Sequence, residues 1–262
     1  MQERVSDSAP IPPRATTRRE ADRVWRALFR RQLARLPGRM CAAFLDGFRA
    51  AALEPDRLPR HADLSRRLAD RCGWRIETVP GLIPVRDFFA LLRERRFPSP
   101  VWIRGASSLG YTPEPDAFHD LFGHVPQLAE PRFAGLLESL AARAEGAGER
   151  ELAELERVYW FTIEFGLVRD DGAGVRAMGA GLASSLLELD RALVSREVRR
   201  LPFELVDART RGFETDRPQE TYLVAPSLGE LARSLAEDWA PWQPGAGAGT
   251  LSRLDRRWSS AP

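Results

Sequence analysis

The sequence predicts a mainly α domain, α+β in class, with short β-ribbons. Three observations point there. Apolar and aromatic residues recur at helical spacing through most of the chain. Period-two alternation is confined to short runs. No regular strand–helix alternation of a doubly wound sheet appears, and no internal repeat is visible.

Residues 1–18 are rich in Pro, Ser, Thr and Arg and predict a disordered tail. Trp25, Leu28, Phe29, Leu33 and Leu36 mark a first helix, stopped by Pro37-Gly38. Met40, Phe44 and Phe48 mark a second. Leu64, Leu68 and Cys72 mark a third, ended by Gly73. Trp74, Ile76 and Thr78 alternate as a strand does. Pro80-Gly81 breaks it, and Pro84 introduces a helix around residues 87–95. Val101-Trp102-Ile103 reads as another short extended run. Helices follow near residues 131–144, 150–166, 183–197 and 227–239. Asp170-Asp171-Gly172 reads as a hairpin turn between Leu167-Val168 and Val175-Arg176. Residues 221–225 read as a last strand. Residues 241–262 predict a second disordered tail, which leaves 19–240 as the one folded domain.

The chain has 262 residues, enough for one substantial core. It is 44% hydrophobic and 29% charged, as soluble globular proteins are, and no apolar run approaches a bilayer span. The first residues carry no apolar signal-like segment, so the expected location is cytoplasmic. Cys41 and Cys72 read as core thiols on amphipathic helices rather than as a disulfide or zinc site. The net charge is +2, with arginines interspersed among Asp and Glu, which predicts neither a nucleic-acid nor a membrane partner. All 39 basic residues are arginine. The absence of lysine excludes Schiff-base chemistry, pyridoxal phosphate anchoring and a P-loop lysine.

Three histidines exist: His61, His119 and His124. The last two lie five apart in Pro115-Asp-Ala-Phe-His119-Asp-Leu-Phe-Gly-His124-Val-Pro126. On an unbroken α-helix that spacing splays the rings by about 140°. Gly123 is expected to end the helix and Pro126 to turn Val125 away from helical dihedrals, which lets His124 fold back toward His119. Two unrelated histidines are the plainer alternative. Glu164 is the one carboxylate in the apolar run Val158-Tyr-Trp-Phe-Thr-Ile-Glu164-Phe-Gly-Leu-Val168. A buried carboxylate needs a metal or a paired cation, and a Glu–Arg pair is the competing explanation. Two imidazoles and a carboxylate form the facial triad of mononuclear non-haem Fe(II) oxygenases. Zinc with a water is the competing metal. No Glu sits on the His119 helix where a zinc peptidase needs its general base.

At these residues the chain resembles the pterin-dependent aromatic amino acid hydroxylases. The shared segments run in order over roughly residues 20 to 240. They are Leu36-Pro-Gly-Arg39, Gly73-Trp-Arg75, Val79-Pro-Gly-Leu-Ile-Pro84, Arg96-Phe-Pro98, Val101-Trp-Ile-Arg104 and Glu114-Pro-Asp116. They continue with His119-Asp-Leu-Phe-Gly-His-Val-Pro126, Tyr159-Trp-Phe-Thr-Ile-Glu-Phe-Gly166, Gly179-Ala-Gly181 and Ser184-Ser185. The resemblance implies the hydroxylase catalytic-domain fold over 19–240 and a monooxygenase that uses O2. It implies Fe(II) on His119, His124 and Glu164, and a tetrahydropterin (tetrahydrobiopterin or a bacterial equivalent) as two-electron donor. By the same resemblance Phe88 stacks on the pterin and the backbone of Gly81, Leu82 and Ile83 bonds its edge. Asp120 reaches the pterin through water, and Tyr159 packs near it. Core packing is the ordinary role of Phe88 and Tyr159.

The resemblance also assigns a pocket for the aromatic amino acid. Arg104 binds its carboxylate bidentately, Asp116 holds Arg104, and Thr112 and Ser184 complete the polar end. Pro115, Trp160 and the His119 ring wall the aromatic end. Read alone, Arg104 and Asp116 are an ordinary ion pair. Two segments depart from the family pattern. Leu186-Leu187 precede Glu188 where a Gly is common, and 206–218 matches poorly. The implied activity is hydroxylation of L-phenylalanine to L-tyrosine by a monomer. Hydroxylation of tryptophan, or of phenylalanine at another ring position, is the alternative, and Trp160 favours phenylalanine. An idle metal- or pterin-binding homologue and a zinc hydrolase complete the alternatives.

Overall fold

Thr17 opens the first helix, α1 (Arg18–Leu33), by turning extended and accepting the Glu20 backbone N–H on its hydroxyl. The computed structural model describes residues 14–110, 112, 114–215, 217–237 and 239. The expected tail at 241–262, and residues 1–13 of the other, lie outside the described residues. Residues 14–17, expected in the tail, run extended. Arg14 forms a β-bridge with Arg104, and Ala15 N donates to Ile103 O at 2.9 Å.

α1 buries Val24, Trp25, Leu28, Phe29 and Gln32. Leu33, expected on that face, is exposed, and the helix stops there, before Leu36. α2 (Ala42–Ala51) and α3 (His61–Cys72) follow, and α3 ends at Gly73 with φ of 79°. Cys41 is buried just before α2 and Cys72 is half-buried; neither is in a disulfide. β1 (Arg75–Val79) pairs in parallel with β2 (Arg96–Pro100), across α4 (Val85–Arg93). The strand thus lies upstream of the expected 101–103 run. Pro98 and Pro100 mask it, because proline is confined to edge positions, and a two-stranded sheet has only edges.

The second half begins with α5 (Val125–Leu128), α6 (Pro131–Arg143) and α7 (Glu149–Tyr159). β3 (Leu167–Asp170) and β4 (Gly174–Ala177) form the expected hairpin. The helix expected over 183–197 is two, α8 (Ala180–Ser184) and α9 (Glu188–Val194). Between them Ser185 is extended, and its hydroxyl accepts from Leu187 N and Glu188 N. β5 (Arg199–Pro202), α10 (Leu205–Thr210), β6 (Thr221–Ala225) and α11 (Leu228–Ala236) complete the chain. The strands make a four-stranded mixed sheet in the order β4-β3-β6-β5, larger than the ribbons expected. Among the described residues no helix is long and apolar enough to cross a membrane.

The core gathers where α1 and α2 meet the His119 segment. Trp25 and Phe29 of α1 and Phe48 of α2 pack on Phe118 and Phe122, with ring centroids 5.0 to 5.8 Å apart. Burying each such ring stabilises the fold by about 1.5–3 kcal/mol. That burial fixes the polypeptide on which His119 and His124 stand.

Candidate active site

His119 and His124 stand on one continuous helical segment. The structure corrects the expected helix end: residues His119–His124 form a π-helical turn that runs directly into α5. Val125 is helical, with φ −57° and ψ −38°. Pro126 sits in the first turn of α5, keeping helical dihedrals while donating no backbone hydrogen bond to the π turn before it. The wider i→i+5 turn carries His124 back over His119, which an α turn does not do. The rings meet edge to face with centroids 5.0 Å apart and Nε2 atoms 3.2 Å apart.

Glu164 ends a second π-helical turn, Trp160–Glu164, which prolongs α7. Its Oε1 is 3.0 Å from His124 Nε2 and its Oε2 is 3.5 Å from His119 Nε2. Two glycines bring the turns together. A Cβ on Gly179 would lie 2.1 Å from Glu164 O, and one on Gly123 would lie 2.7 Å from Ala180 O. Only a chain without side chains at these points packs so closely.

The three donors fit one divalent cation. Ligands about 2.1 Å from a metal on one octahedral face stand about 3 Å apart; the two Nε2 atoms are 3.2 Å apart, and the carboxylate reaches His124 through Oε1 at 3.0 Å and His119 through Oε2 at 3.5 Å. Asp120 is a fourth candidate donor close to both histidines. Its Oδ1 is 4.0 Å from His119 Nε2, whereas the Glu164 carboxylate lies 3.0 Å from His124 Nε2 and 3.5 Å from His119 Nε2. His119 Nδ1 is 2.9 Å from Ser184 Oγ, whose own proton goes to Ala180 O at 2.9 Å. The ring therefore donates from Nδ1 and leaves Nε2 free for a metal.

The charges around this point are strongly coupled. Burial disfavours charge on His119, but Glu164, Asp120 and Asp116 outweigh it and raise its pKa to about 8. Burial pushes Glu164 up, and the two histidines pull it well below the usual carboxylate range. Burial raises Asp120 to about 6.

The donors face a cavity of about 470 Å³, within the size range of ligand pockets. Gly81, Leu82, Ile83, Phe88, Asp120 and Tyr159 line it, as do Arg104, Thr112, Pro115, Trp160 and Ser184. Asp116 does not. It stands behind Arg104, fully buried, and accepts from Arg104 Nε and Nη2 at 2.8 Å each. It also takes the backbone N–H groups of Arg104 and His119, at 2.9 and 3.0 Å. Burial pushes the Asp116 pKa up, but Arg104 and these donors bring it below its ordinary value. Arg104 Nη1 donates to Leu109 O at 3.4 Å, and Arg104 also lines the cavity. Phe88 meets Tyr159 edge-on at 5.2 Å, so it lines the cavity and packs on the core together. Thr112 Oγ1 donates to Glu114 O at 2.7 Å.

Several residues of this site were not singled out in the sequence. Phe213, in the poorly matching segment, stacks on Trp160 with centroids 4.2 Å apart. Trp160 Nε1 donates to Gln219 Oε1 at 3.1 Å. Glu188 Oε2 accepts from Gln219 N at 3.2 Å and from the Tyr222 hydroxyl at 2.9 Å. His124 Nδ1 lies 3.0 Å from Gln127 Oε1. The one local signal was Gln127 itself, an amide inside an otherwise apolar stretch.

The family model described as biopterin-dependent aromatic amino acid hydroxylase matches residues 4–241. Phenylalanine-4-hydroxylase of Chromobacterium violaceum is 42% identical over 222 residues, covering 83% of this chain and 73% of the relative. That of Mesorhizobium japonicum is 40% identical over 215 residues, covering 81% and 77%. The crystal structure of C. violaceum phenylalanine hydroxylase with iron(III) and the oxidised cofactor 7,8-dihydrobiopterin matches with a TM-score of 0.79 at 40% identity. The match covers 84% of this chain and 80% of that one.

Proposed function

This chain belongs to the biopterin-dependent aromatic amino acid hydroxylase family, and from that premise we propose that it is a phenylalanine 4-monooxygenase. It converts L-phenylalanine to L-tyrosine with Fe(II), a tetrahydropterin and O2. One observation carries the reading: the His119, His124 and Glu164 donors converge on the cavity into which Arg104 presents its guanidinium. An amino acid gripped at that end has its ring held near the donors.

His119 and His124 hold the iron through Nε2, and Glu164 holds it through its carboxylate. Iron and tetrahydropterin together activate O2, the pterin supplying two electrons. Phe88 stacks on the pterin ring, and the backbone of Gly81, Leu82 and Ile83 bonds its edge. Asp120 contacts it through water and Tyr159 packs beside it. Arg104 binds the substrate carboxylate, held in orientation by Asp116. Thr112 and Ser184 complete the polar end, and Ser184 also orients His119. Pro115, Trp160 and the His119 ring confine the aromatic ring and keep water from it. The proposal extends to residues 19–240 as the catalytic domain and to a cytoplasmic monomer. The two unpaired cysteines support a reducing compartment, and gel filtration checks the monomer.

The test is the purified protein with Fe(II), a tetrahydropterin and each aromatic amino acid in turn, with products separated by chromatography. Tyrosine from phenylalanine is expected. A hydroxylated tryptophan as the preferred product, or no hydroxylated product from any of them, would refute the assignment.

A further inference from the structure

We propose that Gln127 is a positioning residue for the metal centre, one that fixes which nitrogen of His124 faces the metal. Gln127 lies in α5, fully buried, and does not line the cavity. Its Nε2 is 2.9 Å from Ile163 O and 3.1 Å from Met178 O. Both partners are carbonyl acceptors, so the atom between them is the donating amide nitrogen. The acceptor Oε1 must then face the His124 ring, where it lies 3.0 Å from Nδ1. An acceptor at that place requires a proton on Nδ1. His124 is thereby left to offer the lone pair of Nε2 on the side where His119 and Glu164 stand.

The same amide spans the parts of the centre. Ile163 immediately precedes Glu164 in the second π-helical turn. Met178 precedes Gly179, whose backbone packs on the Glu164 carbonyl. The two carbonyls thus set the amide's orientation, and the amide sets the ring's. All three bonds are buried, so water does not replace a lost partner. A buried glutamine that merely braced the core would affect stability and leave metal affinity alone.

The inference rests on the reading of His124 as a metal ligand, and the experiment separates the two. Co(II) is titrated into metal-free protein against a competing chelator and followed by its visible absorption, with thermal melting measured in parallel. Gln127→Leu keeps the volume and removes the acceptor at Nδ1. It is expected to weaken Co(II) binding about 10- to 100-fold, the usual effect of removing a partner of a ligating histidine. Gln127→Met, unbranched and adaptable, replaces it if the leucine variant does not fold. Gln127→Glu keeps an oxygen facing Nδ1 but turns a second oxygen on the two carbonyls. It is expected to melt below wild type and still bind Co(II) more tightly than Gln127→Leu. Wild-type affinity in Gln127→Leu, or equal weakening in the Glu and Leu variants, overturns the role of Gln127. Wild-type affinity in His124→Ala removes the ligand assignment, and the role of Gln127 with it.

Discussion

Asp116 grips Arg104 through two nitrogens at once, Nε on Oδ2 and Nη2 on Oδ1, each at 2.8 Å. The fork fixes the orientation of a guanidinium that also lines the cavity. A lysine cannot reproduce it, being a point charge without a planar edge. Hydrogen bonds to charged groups are worth roughly 1.5–3 kcal/mol. Arg104→Lys should therefore lower kcat/KM for phenylalanine by about one to two orders of magnitude. Part of the loss should appear as pterin oxidised without hydroxylated product, because the substrate ring is misplaced. On phenethylamine, which has no carboxylate, the effect should be much smaller. Equal losses on both compounds would assign Arg104 to the fold rather than to the substrate.

His119→Ala, His124→Ala and Glu164→Ala should each abolish hydroxylation and stoichiometric iron binding. The fold should survive, because Phe118 and Phe122 anchor the segment on its other face. Metal analysis and circular dichroism check both halves. Near-normal turnover in any one variant would remove that residue from the ligand set.

Iron uptake should depend on pH through His119. Its pKa in the metal-free protein is raised to about 8, above the usual histidine value. Below that pH the ring is protonated and a metal must displace the proton. Apparent iron affinity should rise about tenfold per pH unit up to about pH 8 and then level off. The stability of the metal-free fold should run the other way. The benefit of the protonated ring is full below about pH 6.5 and is lost as pH climbs through the folded value. Iron affinity that stayed flat between about pH 6 and 8 would contradict this.

Phe88→Ala should raise KM for tetrahydropterin well above any change in KM for phenylalanine. One aromatic stack is worth about 0.5–1.5 kcal/mol beyond buried area. Phe88 also touches Phe89, Phe97 and Tyr159, so a lower melting temperature should accompany the kinetic effect. If only amino acid binding suffered, Phe88 would belong to the substrate pocket.

Phe213→Ala should raise KM for the amino acid and leave KM for the pterin near wild type. Phe213 backs Trp160, and without it the indole loses its stacked partner while keeping the Gln219 bond and the Phe165 contact. An effect confined to the pterin would show that the 206–218 segment serves the other half of the cavity.

Much of this was readable from the sequence, and the failures have physical causes. The periodic apolar runs gave α1, α3, α6 and α11 to within a few residues. The helix start at Pro84 and the hairpin at Gly172 followed from backbone chemistry. β2 was hidden by Pro98 and Pro100, because propensity does not know that the strand has a free edge. The spacing of His119 and His124 rightly signalled something other than an α-helix, but local rules offered a helix end. The π turn follows from tertiary contacts: Gly123 against the Ala180 carbonyl, and Phe118 with Phe122 in the core. Phe213 and Gln219 reach Trp160 only when distant segments close, so no local pattern marks them, and Gln127 shows locally only as an amide in an apolar stretch.

The two π-helical turns make the metal centre sensitive to chain length as well as to side-chain identity. Each holds its ligand in phase by containing a residue that an α-helix would not need. Deleting Leu121 would keep every ligand in the sequence and return the segment to α register. The histidines would then stand four apart, about 40° around the axis and still on one face, whereas one residue inserted beside Leu121 would swing His124 by roughly 100° away from Glu164. Among proteins of this kind, an insertion of one residue in either turn is a loss of the centre that an inventory of ligands would pass as intact.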